Sequence, residues 1–183
     1  MKCNIFIENN LILIGVIDIV LKEKIYVCLP SYNEAKNIRK ITKKIDKSIQ
    51  CFRKKYDCVI VNADNNSKDG TNNIFNRAKT ETKKISIVDS RIGKGINIIN
   101  FIELCKKDNV KYAIMIDSDL ISLKNDCIKM MINTLEKGND FVIPLYKRKR
   151  FEGNTTNHFV VPLIYSLYGI KIRQPICRRL CIF

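Results

Sequence analysis

The sequence predicts an α/β domain with a mainly parallel sheet and helices on both faces. Three observations carry the prediction. Short apolar runs alternate with longer segments whose apolar residues recur at helical spacing. That alternation is the pattern of strands joined by helical crossovers. Each glycine- or acid-rich segment falls just after one of the apolar runs, and the carboxyl ends of parallel strands converge on one rim. A chain of 183 residues fits one domain with a sizeable core.

The elements follow in order. Residues 1–23 are an extension with no assigned role. Its apolar run, 11–21, is broken by Asp18, is too short to cross a bilayer and lacks a small-residue cleavage site. It reads as an extra strand or helix on the domain. Residues 25–29 are the first strand of the alternating pattern. Residues 33–50 follow as a helix, with Ile38, Ile41, Ile45 and Ile49 on one face and Lys and Arg between them. Residues 58–61 are the second strand, and 69–79 a helix opened by an Asp/Asn/Ser/Gly-rich loop. Residues 85–88 are the third strand. Residues 94–107 place Ile98, Ile102 and Cys105 on one helical face. Residues 112–116 are the fourth strand, 125–137 a helix presenting Ile128, Met131, Ile132 and Leu135, and 141–145 the fifth strand.

The formal net charge is +15, and lysine outnumbers arginine by more than two to one. Guanidinium forks dominate many nucleic-acid readers, so this balance points away from a nucleic-acid partner. The excess is spread along the chain, with small clusters at 147–150 and at Arg178-Arg179. It reads either as composition bias or as attraction to anionic substrates and membrane surfaces. The eight cysteines contain no Cys-x-x-Cys, and the single histidine lies far from any cysteine pair. Cys28, Cys58 and Cys105 sit inside apolar patterns as small core residues. A reducing cytoplasm is the expected compartment, with peripheral membrane contact left open.

The most informative segment is Asp117-Ser118-Asp119, where the apolar run 112–116 stops. A buried strand that ends in two acids one residue apart offers oxygen ligands for a divalent cation, and the cation can hold a diphosphate. The bland alternative is a helix start with solvated acids. Pro30-Ser31-Tyr32-Asn33-Glu34 follows the first strand; its small polar residues leave backbone N–H groups free for a nucleotide, or it is a turn with a helix cap. After the second strand, Asp64 suits a ribose or base, and Asp69-Gly70-Thr71 turns the chain into a helix. Gly93-Lys94-Gly95 is a tight loop with one cation, which suits a diphosphate as a point charge; it lacks the spacing of a Walker loop.

The order of these segments resembles the family 2-type glycosyltransferases of the GT-A fold. That family carries a Pro-x-Tyr-Asn-Glu segment, an Asp-rich segment ending Ser-x-Asp-Gly-Thr, a Gly-Lys-Gly loop and a DxD pair, in this order. The matching residues are Pro30, Tyr32, Asn33 and Glu34; Asp64, Ser67, Asp69, Gly70 and Thr71; Gly93, Lys94 and Gly95; and Asp117 and Asp119. The resemblance implies a GT-A nucleotide-diphospho-sugar transferase fold, N-terminal part, over residues 24–176. It puts Pro30, Tyr32, Glu34, Asp64 and Lys94 at the donor. Asp117 and Asp119 become the catalytic metal ligands, with Mg²⁺ or Mn²⁺ as the cofactor.

A later stretch narrows the match. Phe141-Val142-Ile143-Pro144-Leu145-Tyr146, Arg148, Glu152-Gly153, Thr156-Asn157-His158, Tyr168-Gly169 and Ile172-Arg173-Gln174-Pro175-Ile176 resemble the mannosylglycerate synthase-like branch. There, Arg148, Glu152 and Thr156 correspond to the residues that bind the acceptor's carboxylate and hydroxyls; the branch more often has Asp at the position of Glu152. His158 stays open between a ligand and a polar helix-start residue. The implied reaction moves a hexosyl group from a nucleoside diphosphate sugar to a small acidic acceptor such as glycerate. The alternatives are a polyprenyl-phosphate glycosyltransferase and a non-catalytic nucleotide-binding fragment. The resemblance stops after Ile176, where relatives continue with Gly-Gly-Asp-Phe-like residues and a long second half. Residues 177–183 are therefore expected to be a divergent tail read out of frame, through a one-base insertion near codon 177, on a truncated chain.

Overall fold

Strict alternation within the apolar runs sorts the core onto two faces of one sheet. In β3 (Lys24–Ser31), Ile25, Val27 and Leu29 belong to one buried cluster, and Tyr26 and Cys28 to the other. The computed structural model describes residues 3–8, 11–16, 22–91, 93–120, 122–144, 153–172, 175 and 179–182. The same alternation holds in β4 (Asp57–Asp64) and β6 (Val110–Ile116): Ile60, Ile114 and Ile116 face one way, and Val59, Val61 and Met115 the other.

The first face is covered by α1 (Ile38–Ile49), α2 (Thr71–Arg77) and α4 (Asn125–Leu135). The isoleucines at 38, 41, 45 and 49 are all buried, as are Phe75, Ile128, Met131, Ile132 and Leu135. The second face is covered by α3 (Lys94–Lys107). Its buried stripe runs through Asn97 and Phe101, with Ile98, Leu104 and Cys105 partly buried beside it. Ile102, placed on that stripe by the sequence reading, lies at its edge and is only half-buried.

With β5 (Lys83–Val88) the sheet order is β5-β4-β3-β6, all parallel, continued by two further strands. This is the expected α/β architecture of the GT-A type. β8 (Arg179–Ile182) runs antiparallel beside β6, and β7 (Phe141–Val142) pairs on its far side. The fifth strand is shorter than the expected 141–145. Pro144 has no N–H for a ladder, and Leu145 lies outside the described residues. Residues 179–182 extend the sheet because pairing uses backbone groups that any non-proline residue supplies.

Two parts were not resolved from the sequence. The extension forms a hairpin, β1 (Cys3–Glu8) against β2 (Leu11–Val16), as a sheet of its own. Beyond β7, a six-residue π-helix (Thr155–Val160) runs into α5 (Val161–Tyr168). Proline near the start of α5 and Gly169, with φ of 67°, at its end are the local signals. Of the cysteines placed in the core by sequence, Cys28 and Cys58 are buried and Cys105 is partly buried against the second cluster. Burial pushes Cys58 and Cys105 up to about 12, so both stay protonated packing residues.

Candidate functional site

From β3 the chain steps to β4 and then β5 on one side, and α3 carries it back to β6 on the other side of β3. The strand order therefore reverses between β3 and β6, and open α/β sheets bind ligands outside the carboxyl ends at such a point. A cleft of about 290 Å³ lies there, lined by Pro30, Ser31, Tyr32, Glu34, Asn65, Gly93, Lys94, Asn97, Asp117, Ser118 and Asp119.

The rim after β3 is tied to the loop after β4. Asn33 and Asn66 adopt left-handed φ of 54° and 55°, a region asparagine tolerates well. The backbone N–H of Asn33 donates to Ser67 Oγ (2.8 Å), and that of Lys68 donates to Asn33 Oδ1 (3.1 Å). The N–H of Glu34 donates to Thr71 Oγ1 (2.8 Å), and the N–H of Ala35 to Asp69 Oδ2 (2.9 Å). Thr71 N–H donates to the other Asp69 oxygen at 3.0 Å. Burial alone would raise the Asp69 carboxyl, but the hydrogen bonds from Thr71 and Ala35 outweigh it and hold the group below its ordinary value. The Glu34 carboxylate accepts from Asn37 Nδ2 at 2.9 Å.

Asp64 is buried at the end of β4, where one carboxylate oxygen accepts both the N–H and the hydroxyl of Ser67. It stands behind the cleft and braces the same loop. On the third side, Asp64 C=O accepts from Asp89 N–H (2.9 Å), and Asn65 Nδ2 donates to Arg91 C=O (2.8 Å). Hydrogen bonds from Arg91, first among several causes, hold the Asp89 carboxyl well below the usual carboxylate range. These contacts position Gly93, whose φ of 136° opens α3, and so set Lys94 at the cleft.

Beyond β6, Ser118 Oγ donates to Pro30 C=O at 2.9 Å and locks the Asp117–Asp119 turn against the end of β3. Lys94 Nζ donates to Asp117 Oδ1 at 2.5 Å. Asp117 is partly exposed and Asp119 exposed. Among the described residues, no group of three or more His, Cys, Asp and Glu side chains gathers to hold a metal. Two carboxylates do suit Mg²⁺ or Mn²⁺ of the kind that takes its remaining ligands from water and substrate phosphates.

The fold thus brings together Pro30, Tyr32, Glu34, Lys94, Asp117 and Asp119 of the residues expected from sequence. Thr156 is buried within the π-helix and is not among the residues lining the cleft. His158 is exposed on the same helix. Arg148 and Glu152 lie outside the described residues. Sequence reasoning missed Asn65 and Asn97. Asn97 is the polar interruption of the buried α3 stripe, one turn after Lys94, and its Nδ2 faces Ser31 C=O at 3.4 Å. A polar residue in an apolar stripe was the available signal.

No curated protein matches the chain. Among solved structures, it is similar to glucosyl-3-phosphoglycerate synthase from Mycobacterium tuberculosis. For the complex with Mn²⁺, UDP-glucose and phosphoglyceric acid, the TM-score is 0.65 at 22% identity, covering 87% of this chain and 56% of the synthase. For the complex with Mn²⁺, UDP and glucosyl-3-phosphoglycerate, the TM-score is 0.64 at the same identity and coverage. A further mycobacterial protein gives a TM-score of 0.64 at 21% identity, covering 87% of this chain and 53% of that one. The chain therefore spans little more than half the length of these structures, and the likeness shows the fold. The family model for glycosyl transferase family 2 matches residues 26–178, from the middle of the first parallel strand through every loop of the cleft. With the strand order and the cleft already in agreement, this chain belongs to glycosyl transferase family 2.

Proposed function

We propose that the protein transfers a hexosyl group from a nucleoside diphosphate sugar to a small acidic acceptor such as glycerate or a phosphorylated glycerate. The observation that carries this reading is the convergence of four strand-end loops on one cleft, with Lys94 and two carboxylates at its mouth. Family membership supports the reaction class. The complexes of the similar synthase, with Mn²⁺, UDP-glucose and phosphoglyceric acid, support the donor and acceptor classes.

In this reading, Tyr32, half-exposed at the cleft, offers its ring to the base. Pro30 and Glu34 shape the nucleoside end, and Asp64 holds the rim from behind. Lys94 serves the diphosphate as a point charge. Asp117 and Asp119 would hold Mg²⁺ or Mn²⁺, which offsets charge on a leaving diphosphate. Arg148, Glu152 and Thr156 belong to the acceptor side, where a guanidinium fork suits a carboxylate and an acid suits hydroxyls.

Titration calorimetry with uridine diphosphate tests the donor half. Mn²⁺ is expected to tighten binding by about tenfold or more in the wild type, equivalent to one charge-assisted contact. In Asp119→Ala the metal should make no difference. Equal affinity with and without Mn²⁺ in the wild type would sink the assignment.

A further inference from the structure

We propose that Asn97 reads the base of the bound nucleotide and selects one whose ring carries an N–H; this rests on the nucleotide-sugar reading above. Asn97 lines the cleft, yet it is only 2% exposed. Its Nδ2 donates to Ser31 C=O across a long 3.4 Å. That contact sets which end of the amide is which, because the reverse orientation would put oxygen against oxygen. The other end, Oδ1, is buried with no hydrogen-bond partner. A buried acceptor left unpaired is costly, and such atoms are few in folded proteins. Here the unpaired atom belongs to a residue of the ligand cleft, so a donor that arrives with the ligand supplies the missing partner. The terminal torsion of asparagine is broad, and a 3.4 Å contact holds the amide loosely enough to turn toward that donor.

The polarity of the cleft decides which part of the ligand carries the donor. Charge gathers at the mouth, where Lys94 and Asp119 are exposed and Asp117 is partly exposed. Those groups suit a diphosphate, its metal and hydroxyls. The buried part of the lining is neutral and consists of Ser31, Asn65, Asn97 and Ser118. Each of these side chains already directs a donor at the protein. The Ser31 hydroxyl donates to Asn62 Oδ1 (2.7 Å), that of Ser118 to Pro30 C=O, and Asn65 Nδ2 to Arg91 C=O. The Asn97 oxygen is left over as a neutral acceptor away from the charged mouth, which matches a ring N–H of a base. Uracil has an N–H at ring position 3. Cytosine has the same shape but a lone pair at that position, which would leave the oxygen unpaired.

Titration calorimetry in the presence of Mn²⁺, comparing uridine and cytidine diphosphate, tests the proposal. The wild type should bind the uridine nucleotide about tenfold or more tightly, and Asn97→Ala and Asn97→Leu should each bring the ratio close to one. Equal affinities in the wild type would overturn the proposal. So would variants that lower both affinities together and leave the ratio standing, as a merely packed residue would. If Asn97→Ala instead flattened a preference for uridine over 2′-deoxyuridine diphosphate, the oxygen would meet the ribose and the proposal would fall. The wild-type complex gives a second reading that needs no variant. The ring N–H proton of bound uridine diphosphate should exchange slowly and show a nuclear Overhauser contact to the Asn97 side-chain amide; its absence overturns the proposal even where both variants fail to fold. Equal affinities with the Mn²⁺ effect intact would remove the base assignment alone. Loss of the Mn²⁺ effect with the ratio intact would remove the transfer reading and leave Asn97 as a nucleotide-binding residue.

Discussion

The Asp69 carboxylate ties two loops together, with one oxygen on Ala35 and the other on Thr71. Because its folded pKa lies below the ordinary 3.8, its contribution is fully present above that value and fades as pH falls through the lower folded value. Asp69→Asn should therefore cost about 1 kcal/mol at neutral pH, a modest figure for an exposed hydrogen-bonded carboxylate. The gap between the variant and the wild type should narrow in acid. Urea midpoints at neutral and acid pH would show it; a constant gap would mean that the carboxylate's charge carries none of the effect. At this scale the sequence was legible where acids end an apolar run, as at Asp117 and Asp119, and where a lone cation sits between two glycines, as at Lys94. The roles of Asn65 and Asn97 depend on carbonyls of Arg91 and Ser31 that only the fold brings near.

At the scale of the element, α3 depends on how it begins. Gly93 sits at φ 136° with open space where a Cβ would stand, so any side chain there meets backbone strain rather than a clash. Gly93→Ala should cost about 1–3 kcal/mol or shift the loop that carries Lys94, with weaker nucleotide binding in either case. Gly95 lies inside the helix, also in open space, and Gly95→Ala should stabilise by about 0.5–1 kcal/mol. Thermal melts of the two variants should thus move in opposite directions; parallel shifts would count against the backbone argument. The long amphipathic helices were readable because lysines separate their isoleucines. In α1 only the buried stripe from Ile38 is helical, since the residues from Asn33 to Asn37 are spent on the rim. α5 escaped because a short segment that is apolar all round has no period to read.

For the molecule as a whole, protection should follow burial on both faces. Amide exchange is expected to be slowest in β3, β4 and β6, whose residues pack into both core clusters, and much faster in α5. Protection of α5 equal to that of β3 would contradict its lack of buried residues. The fold class was legible because alternating strands and helices admit few arrangements. The place of β8 was not. A four-residue segment near the end of the chain pairs with a strand more than sixty residues earlier, through backbone groups that leave little trace in side-chain pattern.

The ion pair between Lys94 and Asp117 makes the two halves of the cleft thermodynamically linked. The ammonium is a built-in counter-ion for the carboxylate, so a cation that takes Asp117 must first displace it. Once displaced, the same ammonium is released toward a diphosphate. Each ligand thereby removes a cost from the other, and reciprocity requires the two couplings to be equal. In the proposed reading, cation and diphosphate would load as a pair, with neither alone strongly favoured by the resting protein.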